Sequence, residues 1–176
     1  MASTLQLVRH PLSRGAVRGI AVKLERSAAT LKVRYELDAD LATLRLPVTG
    51  PVRRGEKLWQ HTCFEVFLSD SMPAYTEFNF SPSGEWASYG FRRYREGAPL
   101  PHIASLQRLE ISHAQPGLVI DATLHQLGAG GLAVGLSAVV EDSDGSLSYW
   151  ALRHPPGNPD FHHPDAFARR LHAIRD

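Results

Sequence analysis

Two-residue alternation of apolar and polar side chains recurs along most of this chain, and it restricts the fold more than any other feature. Across 30–37, Leu31, Val33, Tyr35 and Leu37 share one face while Lys32, Arg34 and Glu36 share the other, the pattern of a half-buried strand. Residues 43–46 repeat it briefly before Pro47, Gly50 and Pro51 end it. In 62–69, Phe64, Val66 and Leu68 alternate with Cys63, Glu65 and Phe67. In 75–81, Thr76, Phe78 and Phe80 oppose Tyr75, Glu77 and Asn79. Further strands are predicted over 86–91, 106–111, 118–124, 133–141 and 148–152. Turn sequences separate them, among them Pro82-Ser83-Gly84-Glu85 and Asp142-Ser143-Asp144-Gly145. Only 165–174 reads as helical, with Phe167, Leu171 and Ile174 at i, i+4 and i+7 and Asp165 as the cap. Short strands without intervening helices predict an all-β fold: an antiparallel sandwich of two packed sheets, closed by a short C-terminal helix.

The 176 residues suit one domain, with 1–19 as an N-terminal arm. A formal charge of +1 gives no footing for nucleic acid or a membrane surface as partner. The one cysteine excludes an intrachain disulfide framework and a multi-cysteine zinc site. The first twenty residues carry Arg9, His10, Arg14 and Arg18 and no apolar run, so a cytoplasmic location is expected. No glycine-rich loop joins a strand to a helix, which removes Rossmann and P-loop readings.

The informative residues sit on the faces that should be wet. Glu65, Glu77 and Asn79 lie on the second face of strands that look central. Cross-strand neighbours stand roughly 5 Å apart, so two carboxyls and an amide can converge. Trp59, Tyr75, Trp86 and Tyr89 flank them. Such a set either faces water on the outer sheet surface or forms an aromatic-walled cleft suited to a sugar, whose hydroxyls meet carboxyls and whose ring meets an indole. A paired-carboxylate glycosidase is a third reading.

The segment 149–165 is dense in His, Asp and Pro. His154, Asp160 and His162 make a two-histidine, one-carboxylate metal set, the basis of a metal-assisted hydrolase or isomerase; adjacent His162 and His163 point apart in an extended chain. The bland alternative is a rigid loop whose polar groups bond its own backbone. His61 reads as a cap or surface group. Arg92-Arg93-Tyr94-Arg95 either recognises an anionic group on a ligand, Arg95 included, or forms a solvated turn. Cys63 shares the face of Glu65, with no base assigned to it as a nucleophile.

The segment from Trp59 to Leu68, followed by Tyr75 to Trp86 with its Asn79-Phe80-Ser81-Pro82-Ser83-Gly84, resembles the centre of DOMON-like domains, relatives of the family 9 carbohydrate-binding modules. Tyr149-Trp150-Ala151-Leu152 and Pro159-Asp160-Phe161-His162-His163 resemble a small bacterial branch of that group. The resemblance implies a non-catalytic sandwich that binds a sugar or haem. It places Glu65, Glu77 and Asn79 on the ligand-facing sheet and makes Trp59 and Trp86 the stacking walls. The haem branch uses Met and His as axial ligands, and only Met1 and Met72 exist here. The expected function is therefore binding of a sugar or sugar-like small molecule, without a cofactor, by Trp59, Glu65, Glu77, Asn79, Trp86, Tyr89 and Arg95.

Overall fold

In a computed structural model that describes residues 4–99 and 104–174, fourteen strands build two antiparallel sheets. They are β1 (Thr4–Gln6), β2 (Val8–Arg9), β3 (Gly19–Arg26), β4 (Thr30–Asp38), β5 (Arg53–Arg54), β6 (Cys63–Ser69) and β7 (Tyr75–Phe80). The others are β8 (Glu85–Arg93), β9 (Glu96–Ala98), β10 (Ser105–Ala114), β11 (Gly117–His125), β12 (Leu132–Glu141), β13 (Leu147–Ala151) and β14 (Arg169–Leu171). The first sheet runs β1-β3-β4-β11-β10. The second runs β2-β13-β12-β6-β7-β8-β5, with β14 on β12 and β9 on β8. Its one parallel pair is the short β5–β8 contact. Among the described residues no helix is long and apolar enough to cross a membrane.

The alternating residues meet between the sheets. Ile20, Val22 and Leu24 join Leu31, Val33, Tyr35 and Leu37 from the first sheet, against Phe64, Val66, Leu68, Phe78 and Phe80 from the second. Tyr35 crosses this core, its hydroxyl donating to the Glu65 carbonyl at 2.6 Å. A buried phenol needs such a partner, and this one ties β4 to β6.

The two sheets differ on their outer faces. In β4 the outward residues are exposed or half-buried, as a wet face requires. In β6, β7 and β12 every residue is buried. Something therefore covers the outside of the second sheet. At one end Phe67, Tyr75, Ala133 and Phe167 form a small apolar cluster with Phe91 and Phe161 against it. At the other, Leu58, Cys63 and Ala87 form another.

The expected C-terminal helix is absent. Pro164–Ala166 make one 3-10 turn, capped by His163 rather than Asp165: the Asp165 backbone N–H donates to His163 Nδ1 at 3.2 Å. The chain then extends into β14, where Leu171 pairs with Leu132. β13 pairs only with the second half of β12, which leaves residues 132–134 an open edge for β14 to fill. The apolar spacing of Phe167 and Leu171 is thus used by two clusters, not by one helix face. The expected strand at 43–46 is instead a 3-10 turn at Leu41–Thr43 with a lone bridge from Leu44 to Asp142. The segment expected as an N-terminal arm crosses between the sheets, giving β1 to one edge and β2 to another.

Candidate ligand-binding site

Strand register decides which polar side chains meet. Glu65 on β6 lies directly opposite Asn79 on β7 and Ser137 on β12. Glu77 lies opposite Phe67 on one side and Tyr89 on the other. The two glutamates are therefore diagonal neighbours on the outer face of the second sheet. They form the floor of a cavity of about 580 Å³. Trp59 and Gln60 stand at one side; Tyr149, Pro159, Phe161 and His162 stand at another; Tyr89, Phe91 and Arg95 close a third.

The rims are built by turns. Leu58–Gln60 form a 3-10 turn entered by Lys57 at φ +54°. Its Leu58 anchors in the Cys63–Ala87 cluster, which leaves Trp59 49% exposed and projecting at the mouth. The turn from β8 to β9 holds Arg95 at φ +53°. Neither residue is glycine, and a left-handed non-glycine residue costs roughly 1–3 kcal/mol. At Arg95 the tertiary contacts that offset this are visible. Its backbone N–H donates to the Tyr75 hydroxyl at 3.1 Å, and its Nη2 donates to Asp160 Oδ1 at 2.9 Å. The Tyr94 hydroxyl donates to Asp160 Oδ2 at 2.7 Å. Burial alone would raise the Asp160 carboxyl, but these bonds outweigh it and hold the group below its ordinary range.

The floor behaves in the opposite way. Glu65 is 3% and Glu77 5% exposed, and neither forms an ion pair with a lysine or arginine among the described residues. Burial, then the nearness of Glu77, pushes the Glu65 carboxyl well above the carboxylate range, against one hydrogen bond from Ser137 Oγ at 3.2 Å. Burial pushes Glu77 up to about 7, although the Asn79 amide and the Arg95 charge favour its ionised form. Asn79 is fully buried, and neither its Oδ1 nor its Nδ2 makes a hydrogen bond of ordinary geometry.

His162 joins the floor to the cover. Its Nδ1 is 2.8 Å from the Tyr75 hydroxyl, and its Nε2 is 3.6 Å from Glu77 Oε2. Since Tyr75 accepts from Arg95, its own proton is free to go to Nδ1, which leaves the ring N–H on Nε2 facing Glu77. Burial, then the Arg95 charge, lowers the imidazole to about 4, so it is neutral at physiological pH. The ring packs edge-on against Phe67 and Phe91.

Five of the seven expected site residues line this cavity: Trp59, Glu65, Glu77, Tyr89 and Arg95. Asn79 is on the same sheet face beside Glu65. Trp86 is not. It pairs with Phe80, three residues from Tyr89, an odd separation that leans it on the core side, with the Arg54 guanidinium 4.1 Å over its ring. A period of two sends adjacent positions to opposite faces, and the Trp86 side chain follows Phe78 and Phe80.

The expected metal set does not assemble. His154 Nε2 lies 2.7 Å from the Val8 carbonyl, Asp160 clamps Arg95, and His162 meets Tyr75. Among the described residues no group of three His, Cys, Asp or Glu side chains is placed to hold a metal ion. His154 stacks edge-on with buried His10 at 4.8 Å and pins the loop to β2. His61 is held at 2.7 Å by buried Glu141, whose other oxygen accepts from Arg45. Cys63 is buried, and burial with the nearby Glu65 and Glu77 raises its thiol well above the ordinary value, the reverse of an activated nucleophile. Arg92 and Arg93 both pair with Glu96. Met72 lies partly exposed in the turn before β7; Met1 lies outside the described residues.

Tyr149, Phe161, Phe91 and Gln60 belong to the cavity and carry no sequence signal by themselves. The alternation of Leu147, Tyr149 and Ala151 does put Tyr149 on the Val139 side of β13, where the cavity lies.

No family model matches the chain, and no curated protein matches it. Its fold is similar to the crystal structure of a "putative carbohydrate-binding protein" from Bacteroides uniformis ATCC 8492, with a TM-score of 0.58 and 13% sequence identity, covering 94% of this chain and 84% of that one. At that identity the likeness is one of fold.

Proposed function

We propose that this chain is a ligand-binding β-sandwich, without catalysis of its own, whose cavity takes a sugar or sugar-like small molecule. The observation that carries the reading is the roofed floor of Glu65 and Glu77 beneath Trp59, Tyr89, Tyr149 and Phe161. Carboxyls kept neutral by burial both donate to and accept from hydroxyls, and aromatic faces cover the apolar side of a pyranose. A volume of about 580 Å³ falls within the range of small-molecule sites. Two further observations support it: the fold of the Bacteroides uniformis protein and the Asn79 to Gly84 segment, which resembles DOMON-like domains and family 9 carbohydrate-binding modules.

The test is calorimetric titration of a mono- and disaccharide panel into the full chain. Binding that weakens in Trp59→Ala supports the reading. Failure of every sugar to bind overturns it.

A further inference from the structure

We infer that the ligand of this cavity carries a protonated amine, seated over the Glu65 and Glu77 carboxyls and enclosed by the aromatic walls. The inference rests on the sugar-like reading above and narrows it to an amine-bearing member of that class.

The first ground is charge. Two acids share one floor, and among the described residues neither pairs directly with a lysine or arginine; the Arg95 charge reaches Glu77 only from a distance. Arg95 is the guanidinium nearest to them, but its Nη2 is given to Asp160 at 2.9 Å, and Asp160 also takes the Tyr94 hydroxyl. The Arg95–Asp160 pair is neutral as a unit. His162 touches Glu77 only at 3.6 Å, through an uncharged ring. Burial makes ionising either acid costly while no cation stands directly against it, and a ligand cation seated over the pair offsets that cost for both glutamates at once.

The second ground is the wall chemistry. Trp59, Tyr89, Phe91, Tyr149 and Phe161 present rings around this floor. Ring faces attract cations, most strongly where water is excluded, and cages of aromatic residues are a recurring solution for ammonium groups. A neutral sugar uses one or two such faces; rings on three sides suit a charge.

The third ground is Asn79. Fully buried beside Glu65, its amide atoms make no ordinary hydrogen bond. A buried amide left this way is rare in a purely structural setting. Asn79 lies beneath the cavity rather than on its wall, so its amide acts on a ligand through the Glu77 carboxyl it faces.

Calorimetry on the full chain near pH 7 tests this with four probes: glucosamine, glucose, N-acetylglucosamine and 1,4-diaminobutane. Glucosamine is expected to bind at least about tenfold more tightly than glucose or N-acetylglucosamine, which share its ring without the charge. In Glu77→Gln and Glu65→Gln, isosteric changes that keep the floor filled, the preference should shrink to within about threefold, with circular dichroism reporting an intact fold. Neutral sugars binding as tightly as glucosamine would overturn the amine inference and leave the sugar reading standing. Binding of diaminobutane with no sugar bound would uphold the amine and overturn the sugar. Silence from all four at about 10 mM overturns both.

Discussion

Replacing Glu77 by glutamine should stabilise the protein at alkaline pH and leave it nearly unchanged in acid. The carboxyl has a pKa of about 7 in the folded chain against an ordinary value of 4.5. Because the folded value is the higher one, the folded state holds a proton that the unfolded chain has released between those two values. Stability therefore falls as pH rises from about 4.5 to 7 and stays low above that. A shift of this size corresponds to about 3 kcal/mol of stability withheld at pH 8, and less than about 1 kcal/mol at pH 5. Glutamine cannot ionise and is free of the penalty. Any loss of packing or of the contact with His162 is present at both pH values, so it cancels when the two are compared. The difference in ΔΔG between pH 8 and pH 5 should be about 2–3 kcal/mol in favour of the variant, or about 5–10 °C in Tm for a chain of this size. Urea denaturation of both proteins at the two pH values measures it. A ΔΔG that varies by less than about 0.5 kcal/mol between them would mean that Glu77 ionises like a surface carboxylate, and the dry floor would be refuted.

Other consequences are more local. Trp59→Ala should weaken ligand binding by roughly tenfold, whereas Trp86→Phe, on the core side of the sheet, should leave affinity unchanged; titration of both separates the two indoles. His162 has a folded pKa of about 4, below its ordinary 6.5, so its contribution is present above 6.5 and is lost as pH falls towards 4. His162→Gln should accordingly lose about 2 kcal/mol less stability than the parent between pH 6.5 and 4.5, read from chemical denaturation. Gly117→Ala should cost about 3 kcal/mol, because a Cβ there would stand 1.8 Å from the Leu37 carbonyl oxygen and force β4 and β11 apart; a drop in the urea midpoint at constant slope checks it.

The period-two rule made the sandwich legible because the inward residues of β4, β6, β7 and β11 obey it, with buried Thr76 the one polar departure among them. The same rule holds in β3, where Ile20, Val22 and Leu24 alternate as cleanly, a strand beyond those expected from the sequence. It failed at 165–174, where apolar spacing matched a helix but an unfilled edge on β12 drew the chain into β14. Edge vacancy is a property of the assembled sheet, and no local window contains it. The floor acids were legible for a related reason: face is set by parity alone, so Glu65, Glu77 and Asn79 had to share one. The same parity excludes Trp86 from the floor, since an even position cannot join the odd positions of β8 that carry Ala87, Tyr89 and Phe91. The ring of Phe161 was not legible as a wall, because its place depends on how the loop after β13 folds back, whereas Tyr149 lies on β13 opposite Val139 and follows strand parity.

That loop obeys different physics from the floor it covers. Below the cavity, β6, β7 and β12 are fixed by ladder hydrogen bonds and by an apolar core on their inner side. Above it, the segment after β13 is held in part at separate polar points. His154 lies against the Val8 carbonyl, His10 Nε2 is 3.1 Å from the Gly157 carbonyl, and Asp160 clamps Arg95. Apolar anchoring comes from Phe161 and Phe167, which pack with the Phe67–Tyr75 cluster, and from the His162 ring on Phe67 and Phe91. Point contacts of this kind yield individually at far lower cost than a core does. The acids are therefore held by the sheet itself, while part of their cover comes from a segment fastened mainly by side-chain contacts until β14. A floor that withholds stability, beneath a cover fastened in part by such contacts, is what a site requires if it must stay dry when occupied and still admit its ligand.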